Sequence, residues 1–229
     1  IDPEAIVTGR TLESFEQGAR GVVARCTDGH TVSGECLIGC DGIHSMTRAL
    51  LFGRDRPNFT GYVAWRGLIP GELVPPALLD PPLCMTVGPR RMLMRYPLRR
   101  GALVNYVAIA RRPAWMEEGW SVRSTVAEVL DEFADFEPRA TELIALTPAD
   151  RCFKWGLFDR DPLPTWTQGR VTLLGDAAHP MPPFTGQGAV MALEDAAILG
   201  RAFATSAAAP AALQRYERAR RARVIAALD

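Results

Sequence analysis

The sequence predicts an α/β protein carrying a sheet-rich α+β insert, and three observations lead there. Leu37-Ile38-Gly39-Cys40 is a short apolar strand ending on Asp41-Gly42, and a helical pattern follows from His44 to Leu51. Arg170 to Leu174 is a second buried strand, aimed at Gly175-Asp176, after which a Pro- and Gly-rich loop leads into an Ala-rich helix, Gly188 to Ala204. Strand, glycine turn and helix in that order is the local grammar of a nucleotide-binding α/β domain. Between these two units, over residues 58–158, the texture changes to alternating strands broken by Pro and Gly. The organisation expected is therefore 1–57 and 159–229 as parts of one domain, with 58–158 inserted.

The elements justify themselves in order. Thr11–Glu16 and Gly21–Thr27 read as strands joined by a Gly-containing turn, and Asp28-Gly29 is a strong hairpin signal that returns the chain through His30–Cys36. In the insert, Tyr62–Ile69, Met92–Tyr96 and Leu103–Ala110 are strand-like, and helices are expected over Ser121–Phe133 and Pro138–Leu146. A last helix, Pro210–Leu228, starts with Pro near its first turn. Its Arg215, Arg218, Arg220, Arg221 and Arg223 read as a solvated face rather than a phosphate-binding patch.

Composition narrows the function classes. The 229 residues hold 48% hydrophobic and 23% charged residues, ordinary for a globular enzyme. Lys plus Arg equal Asp plus Glu, 26 against 26, which argues against a nucleic-acid or anionic-membrane partner. No apolar run reaches the roughly 18 residues of a membrane span, and no secretory pattern opens the chain, so a cytoplasmic protein is expected. Five scattered cysteines fit a reduced compartment. Cys36 and Cys40 lack a second Cys or His pair at zinc spacing and read as small buried hydrophobes, so no metal site is expected.

The stretch RVTLLGDAAHPMPPFTGQGAVMALEDA, from Arg170 to Ala196, carries the chemistry. A buried strand delivers Asp176 at its C-terminal end, where α/β sheets place ligands and where a carboxylate can accept hydrogen bonds from a polyol. Gly186 and Gly188 let backbone pass close to a planar ligand. The helix start then aims unpaired N–H groups and a positive dipole end at that loop, stabilising negative charge on a ligand.

Gly175-Asp176-Ala177-Ala178-His179-Pro180, with Pro183 and Gly186-Gln187-Gly188, resembles the second FAD-binding signature of the aromatic-ring hydroxylases, the p-hydroxybenzoate hydroxylase-like superfamily. Glu194-Asp195-Ala196 matches that family's closing acidic pair, and the run from Gln187 to Ala196 resembles its salicylate hydroxylase-like branch. A second match, LIGCDGIHSMTR, has Asp41, Gly42, Ser45 and Arg48 in register with the family's Asp-Gly motif. GYVAWRGLIP and WGLFDRDPLPTW extend the similarity along nearly the whole chain.

The resemblance implies a Rossmann-like FAD-binding domain with an inserted substrate domain. It implies FAD held by Asp41, Gly42, Arg48, Gly175, Asp176, Pro183, Gly186, Gln187, Gly188, Ala189 and Val190, the last standing where many members have Asn. It further implies NADH or NADPH as co-substrate and O2 activation through a C4a-hydroperoxyflavin that hydroxylates a small phenolic aromatic; a homodimer stays open. Trp65, Tyr96, Tyr106 and Phe184 are the candidate substrate-pocket residues, with plain core aromatics as the alternative. No catalytic base is assigned, because His179 reads as a locally bonded residue and His30 and His44 have no companions. No G-x-G-x-x-G stands after an N-terminal strand, so the FAD-binding domain is expected to be incomplete here. The rival readings are a truncated, flavin-free fragment without turnover and a same-fold epoxidase. A flavin halogenase fits less well, since Trp65-Arg66-Gly67-Leu68-Ile69-Pro70 shares only the first Trp and the Ile-Pro of that signature.

Overall fold

A computed structural model describes residues 2–115, 122–184 and 186–228. It opens with an antiparallel three-stranded sheet, β1 (Leu12–Gln17), β2 (Val22–Cys26) and β3 (Thr31–Gly34), in that order. The second hairpin closes at Asp28-Gly29, where the Asp28 carboxylate accepts from the His30 amide at 3.0 Å and Gly29 takes a positive φ of 80°. β4 (Leu37–Gly39) then runs into the helix α1 (Met46–Phe52). Ser45 caps that helix, its hydroxyl accepting from the Arg48 amide at 2.9 Å.

A long strand, β5 (Asn58–Pro70), enters the insert, followed by β6 (Cys84–Gly88), β7 (Arg91–Leu98), β8 (Leu103–Arg111) and β9 (Val122–Arg123). Two short helices, α2 (Val126–Glu132) and α3 (Pro138–Ala145), precede β10 (Cys152–Asp159). The sheet order is β6-β7-β8-β5-β10-β9. α2 and α3 pack Val129, Phe133, Leu143 and Ile144 against Val63, Trp65, Leu93 and Tyr106, all buried. Gly67 belongs to that face because the Tyr106 ring lies over it; a Cβ there would stand 2.1 Å from Tyr106 Cε1.

The helix expected from Ser121 begins instead at Val126. Residue 121 lies outside the described residues, and Val122-Arg123 pair with Lys154 and Phe153 as a strand. Thr125 sets the helix start, its hydroxyl accepting from the Glu128 amide at 3.1 Å. β6 and β10 were not expected as strands. β6 alternates half-buried and exposed residues at the sheet edge, a pattern too short to stand out beside Pro81-Pro82.

The chain closes with β11 (Thr167–Gln168), β12 (Val171–Leu173), α4 (Gln187–Ala204) and α5 (Ala209–Leu228). β12 pairs parallel with β4, Val171 to Leu37 through Leu173 to Gly39. α4 and α5 cover a second core that includes Leu173, Ala177, Met191, Leu199, Leu213 and Tyr216. Two compact units result: Ile1–Asn58 with Phe158–Asp229, and Phe59–Leu157. No helix among the described residues is long and apolar enough to cross a membrane.

Candidate functional site

β12 ends at Leu173, and the chain then turns through a single 3-10 turn at Gly175–Ala177. The Ala178 and His179 amides both donate to the Gly175 carbonyl, at 2.8 and 2.9 Å, which closes the turn. Gly175, Ala177, Ala178, His179 and Pro180 are buried; Asp176 alone turns its side chain out to solvent. No described residue bonds its carboxylate. The start of α4 lies close by, since a Cβ on Gly188 would stand 3.9 Å from Asp176 Oδ1. Gly186 caps α4 in the left-handed region, φ 68°, and offers no side-chain acceptor to the helix. The first-turn amides are therefore left without a side-chain cap, beside an unpaired carboxylate.

A buried charge network holds this turn. His179 Nε2 lies 2.6 Å from Asp195 Oδ2, and the same carboxylate accepts from the Gly175 amide at 3.2 Å. Arg220 Nε donates to Asp195 Oδ1 at 2.7 Å, and Arg220 also bonds Glu194 and the Met191 carbonyl. Burial alone would raise the Asp195 pKa, but His179 and Arg220 outweigh it and hold the carboxyl below its ordinary value. Glu194, paired with Arg223 and Arg220, is lowered to about 2. The solvated-face reading of the α5 arginines thus fails at Arg220, which is 3% exposed. Its burial follows the period of α5, where Tyr216, Arg220 and Val224 recur every four residues on the buried stripe. Trp166 packs against both His179 and Tyr216, and the Tyr216 hydroxyl donates to the Leu173 carbonyl at 3.1 Å.

The Asp-Gly motif proves to be a joint. The Asp41 carboxylate accepts from the Ser45 hydroxyl and from the Thr47 amide and hydroxyl, at 2.9 and 3.0 Å for the last two. It is thus occupied in fixing the turn before α1, and Gly42 makes that turn with a φ of 76°. Arg48 is 2% exposed and donates to the Ala177 and Ala178 carbonyls, tying α1 to the Asp176 turn. Asp55 bridges Arg48 and Arg160; burial pushes its pKa up, and the two guanidiniums pull it back below the ordinary value. Cys40, expected to be buried, is exposed, because the chain leaves the β4 edge there.

The other candidates fall in two places. Gly186, Gln187 and Val190 line an open depression of about 700 Å³ with Met191, Arg223, Ala226 and Ala227, and Asp176 is not among its lining residues. Ala189 and Pro183 are exposed and Phe184 is half-buried. In the insert, Trp65 and Tyr106 stand inside the core at 1% and 0% exposure, with the Tyr106 hydroxyl 3.3 Å from Thr147 Oγ1. Burial pushes the Tyr106 phenol far up, so it keeps its proton. Tyr96 is half-buried on the opposite face of that sheet.

A parallel strand pair delivering an unpaired carboxylate beside an uncapped, glycine-flanked helix start defines a nucleotide-cofactor α/β domain. Residues 4–229 match the FAD binding domain family, and the chain belongs to that family. It is 36% identical to the 3-amino-4-hydroxybenzoate 2-monooxygenase PtmB3 of Streptomyces platensis over 98% of this chain and 56% of that protein. The structure of Klebsiella pneumoniae HpxO complexed with FAD and uric acid matches at a TM-score of 0.86 and 32% identity, covering 96% of this chain and 56% of that one. A salicylate hydroxylase substrate complex matches at a TM-score of 0.81 and 30% identity, over 96% and 59% of the two chains. The chain spans just over half the length of these relatives.

Proposed function

We propose that this chain holds the ribityl and ring end of FAD in a monooxygenase that hydroxylates a small phenolic acid-like aromatic with NADH or NADPH and O2. Residues 1–57 and 159–229 form its share of the FAD-binding part and 58–158 the substrate part; the compact units, which split beside Asn58 and Phe158, support this division. The observation that carries the reading is Asp176, a solvent-facing, unpaired carboxylate at the end of a buried parallel strand. Its oxygens suit the hydroxyls of a ribityl chain. The uncapped amides from Gln187 to Ala189, with Val190 beside them, suit the electron-rich edge of the ring, where they would stabilise negative charge. Side chains at Gly186 or Gly188 would crowd that approach.

Bound FAD would supply the electron transfer from NAD(P)H and the activation of O2. The chain's own residues do the rest. Asp176 accepts from the polyol, and the α4 start orients the ring edge. Pro183 and Phe184 shield the loop from water. Asp41, Arg48, His179, Asp195 and Arg220 keep the Asp176 turn in place from behind.

The test is a titration of the purified protein with FAD, followed by flavin absorbance and fluorescence quenching. Asp176→Ala should weaken FAD binding by about tenfold to a hundredfold, the worth of losing hydrogen bonds to a charged group. NAD(P)H oxidation stimulated by a phenolic acid supports hydroxylation. A wild-type protein that stays colourless in excess FAD sinks the proposal.

A further inference from the structure

The sheet of the insert has two unlike faces. One carries Trp65, Gly67 and Tyr106 under the helices α2 and α3. On the other, the pairing fixes who stands beside whom, because directly opposed residues of antiparallel strands share a face. Tyr96, Asn105 and Leu68 form one row across β7, β8 and β5; Met94, Val107 and Arg66 form the next.

Asn105 is 2% exposed, and its side-chain Nδ2 has no hydrogen-bond partner among the described residues. A buried amide donor left unbonded is costly, and such a group in a native fold calls for a reason. Its neighbours point to a ligand. Tyr96, Leu68 and Met94 are only half-buried, so the row is open beside the orphan donor. Val107, 9% exposed, gives an apolar floor. Arg66 is exposed, its guanidinium 5.2 Å from the Trp155 ring centroid, and no described carboxylate pairs with it. Diagonal neighbours across a sheet stand about 7–8 Å apart. That separation suits one aromatic ring bearing an acceptor at each of two positions.

We propose that Asn105 is a substrate-specificity residue: its Nδ2 donates to a ring hydroxyl oxygen of a small aromatic carboxylate that lies on Val107, Met94 and Leu68, with its carboxylate toward Arg66. This rests on the monooxygenase reading for the chemistry that follows binding. The placement itself comes from the sheet register and the orphan donor.

The experiment compares 3-hydroxybenzoate with benzoate, by calorimetry on the FAD-supplemented protein and as stimulants of NAD(P)H oxidation. Wild type should prefer 3-hydroxybenzoate. Asn105→Leu, which keeps the branched outline at Cγ and removes the donor, should bind 3-hydroxybenzoate tenfold to a hundredfold more weakly, with KM rising and kcat less affected. The same variant should bind benzoate as wild type does, so the preference disappears. Its FAD affinity should be unchanged and its melting temperature equal or higher, since an unsatisfied polar group has gone; a purely structural Asn105 would instead lower the melting temperature and leave the preference intact. Asn105→Ala, which removes the donor without adding bulk, gives the same loss of preference if the leucine variant fails to fold. Retained preference in the folded variants overturns the role of Asn105 alone. A wild-type protein that takes up FAD yet ignores every aromatic acid overturns the monooxygenase reading, and this inference with it.

Discussion

Side chains that resemble a reaction centre on paper divide, in the fold, into those that face a ligand and those that hold the ones that do. Asp41 and Asp176 both end a parallel strand and both precede a helix, yet only Asp176 has a free carboxylate, because Ser45 and Thr47 claim the other. Tyr106 and Tyr96 lie ten residues apart in neighbouring strands, and the sheet's alternation sends them to opposite faces. Tyr106 is locked by Gly67, whose missing Cβ makes room for its ring. Gly67→Ala should therefore destabilise the insert by about 3 kcal/mol, at the upper end of overpacking penalties, measurable by urea unfolding. Tyr106→Phe, which loses the 3.3 Å bond with Thr147 and the contact of the hydroxyl with Cys152, should cost about 1 kcal/mol. It should also leave any pH–rate profile unchanged up to pH 10, because burial already keeps that phenol protonated. An alkaline limb present in the wild type and lost in that variant would show that Tyr106 titrates in turnover.

At the scale of elements, α4 and α5 clamp the Asp176 turn through one buried carboxylate. Asp195 is 0% exposed and Arg220 3%, so removing one partner strands the other's charge in a dry site. Arg220→Met should lower stability by about 3 kcal/mol, read from denaturant unfolding, and should weaken FAD binding along with it. Acid should act on the same joint. Asp195 and Glu194 have folded-state pKa values below their unfolded ones, so their contribution is complete above the unfolded carboxylate range near 4 and is lost as pH falls toward 2. The wild type should lose stability steeply in that window, and Asp195→Asn should flatten the slope; an unchanged slope would remove Asp195 from the acid response. The sequence made the turn legible and hid the clamp. Gly175-Asp176 and the Gly-x-Gly before α4 are local signals, written within a few residues. The partnership of Asp195 with Arg220 joins two helices, and the arginine looked like one more charge in a basic run. Asn105 was hidden for a similar reason: its want of a partner is a property of the sheet around it, and nothing in Leu103–Arg111 announces it.

At the scale of the whole molecule, the two units are assembled from the chain differently. Phe59–Leu157 is continuous and contains all of the first hydrophobic core, with Trp65, Phe133 and Leu143 fully buried inside it. The other unit depends on pairing β4 with β12, which come from opposite sides of the insert. Local strands and helices could be read from alternation and period, but the order β6-β7-β8-β5-β10-β9 could not, because β5 sits between β8 and β10, strands far from it along the chain. The contrast leads to a last prediction. Residues 59–157 expressed alone should unfold in one cooperative transition with near-ultraviolet dichroism from buried Trp65 and Tyr106, since all but the outer ends of β5 and β10 and both covering helices lie in that segment. Residues 1–58 alone should not form the β4–α1 joint, because Leu37–Gly39 would lack the β12 ladder and Arg48 would lose the Ala177 and Ala178 carbonyls, keeping Asp55 as its acceptor within the fragment. Amide exchange would separate the outcomes: protection across β5, β7 and β8 in the first fragment, and none at Thr47 to Phe52 in the second. Protected α1 amides in the short fragment would mean that Ser45 and Asp41 suffice to hold the helix, and that the long-range pairing only docks it.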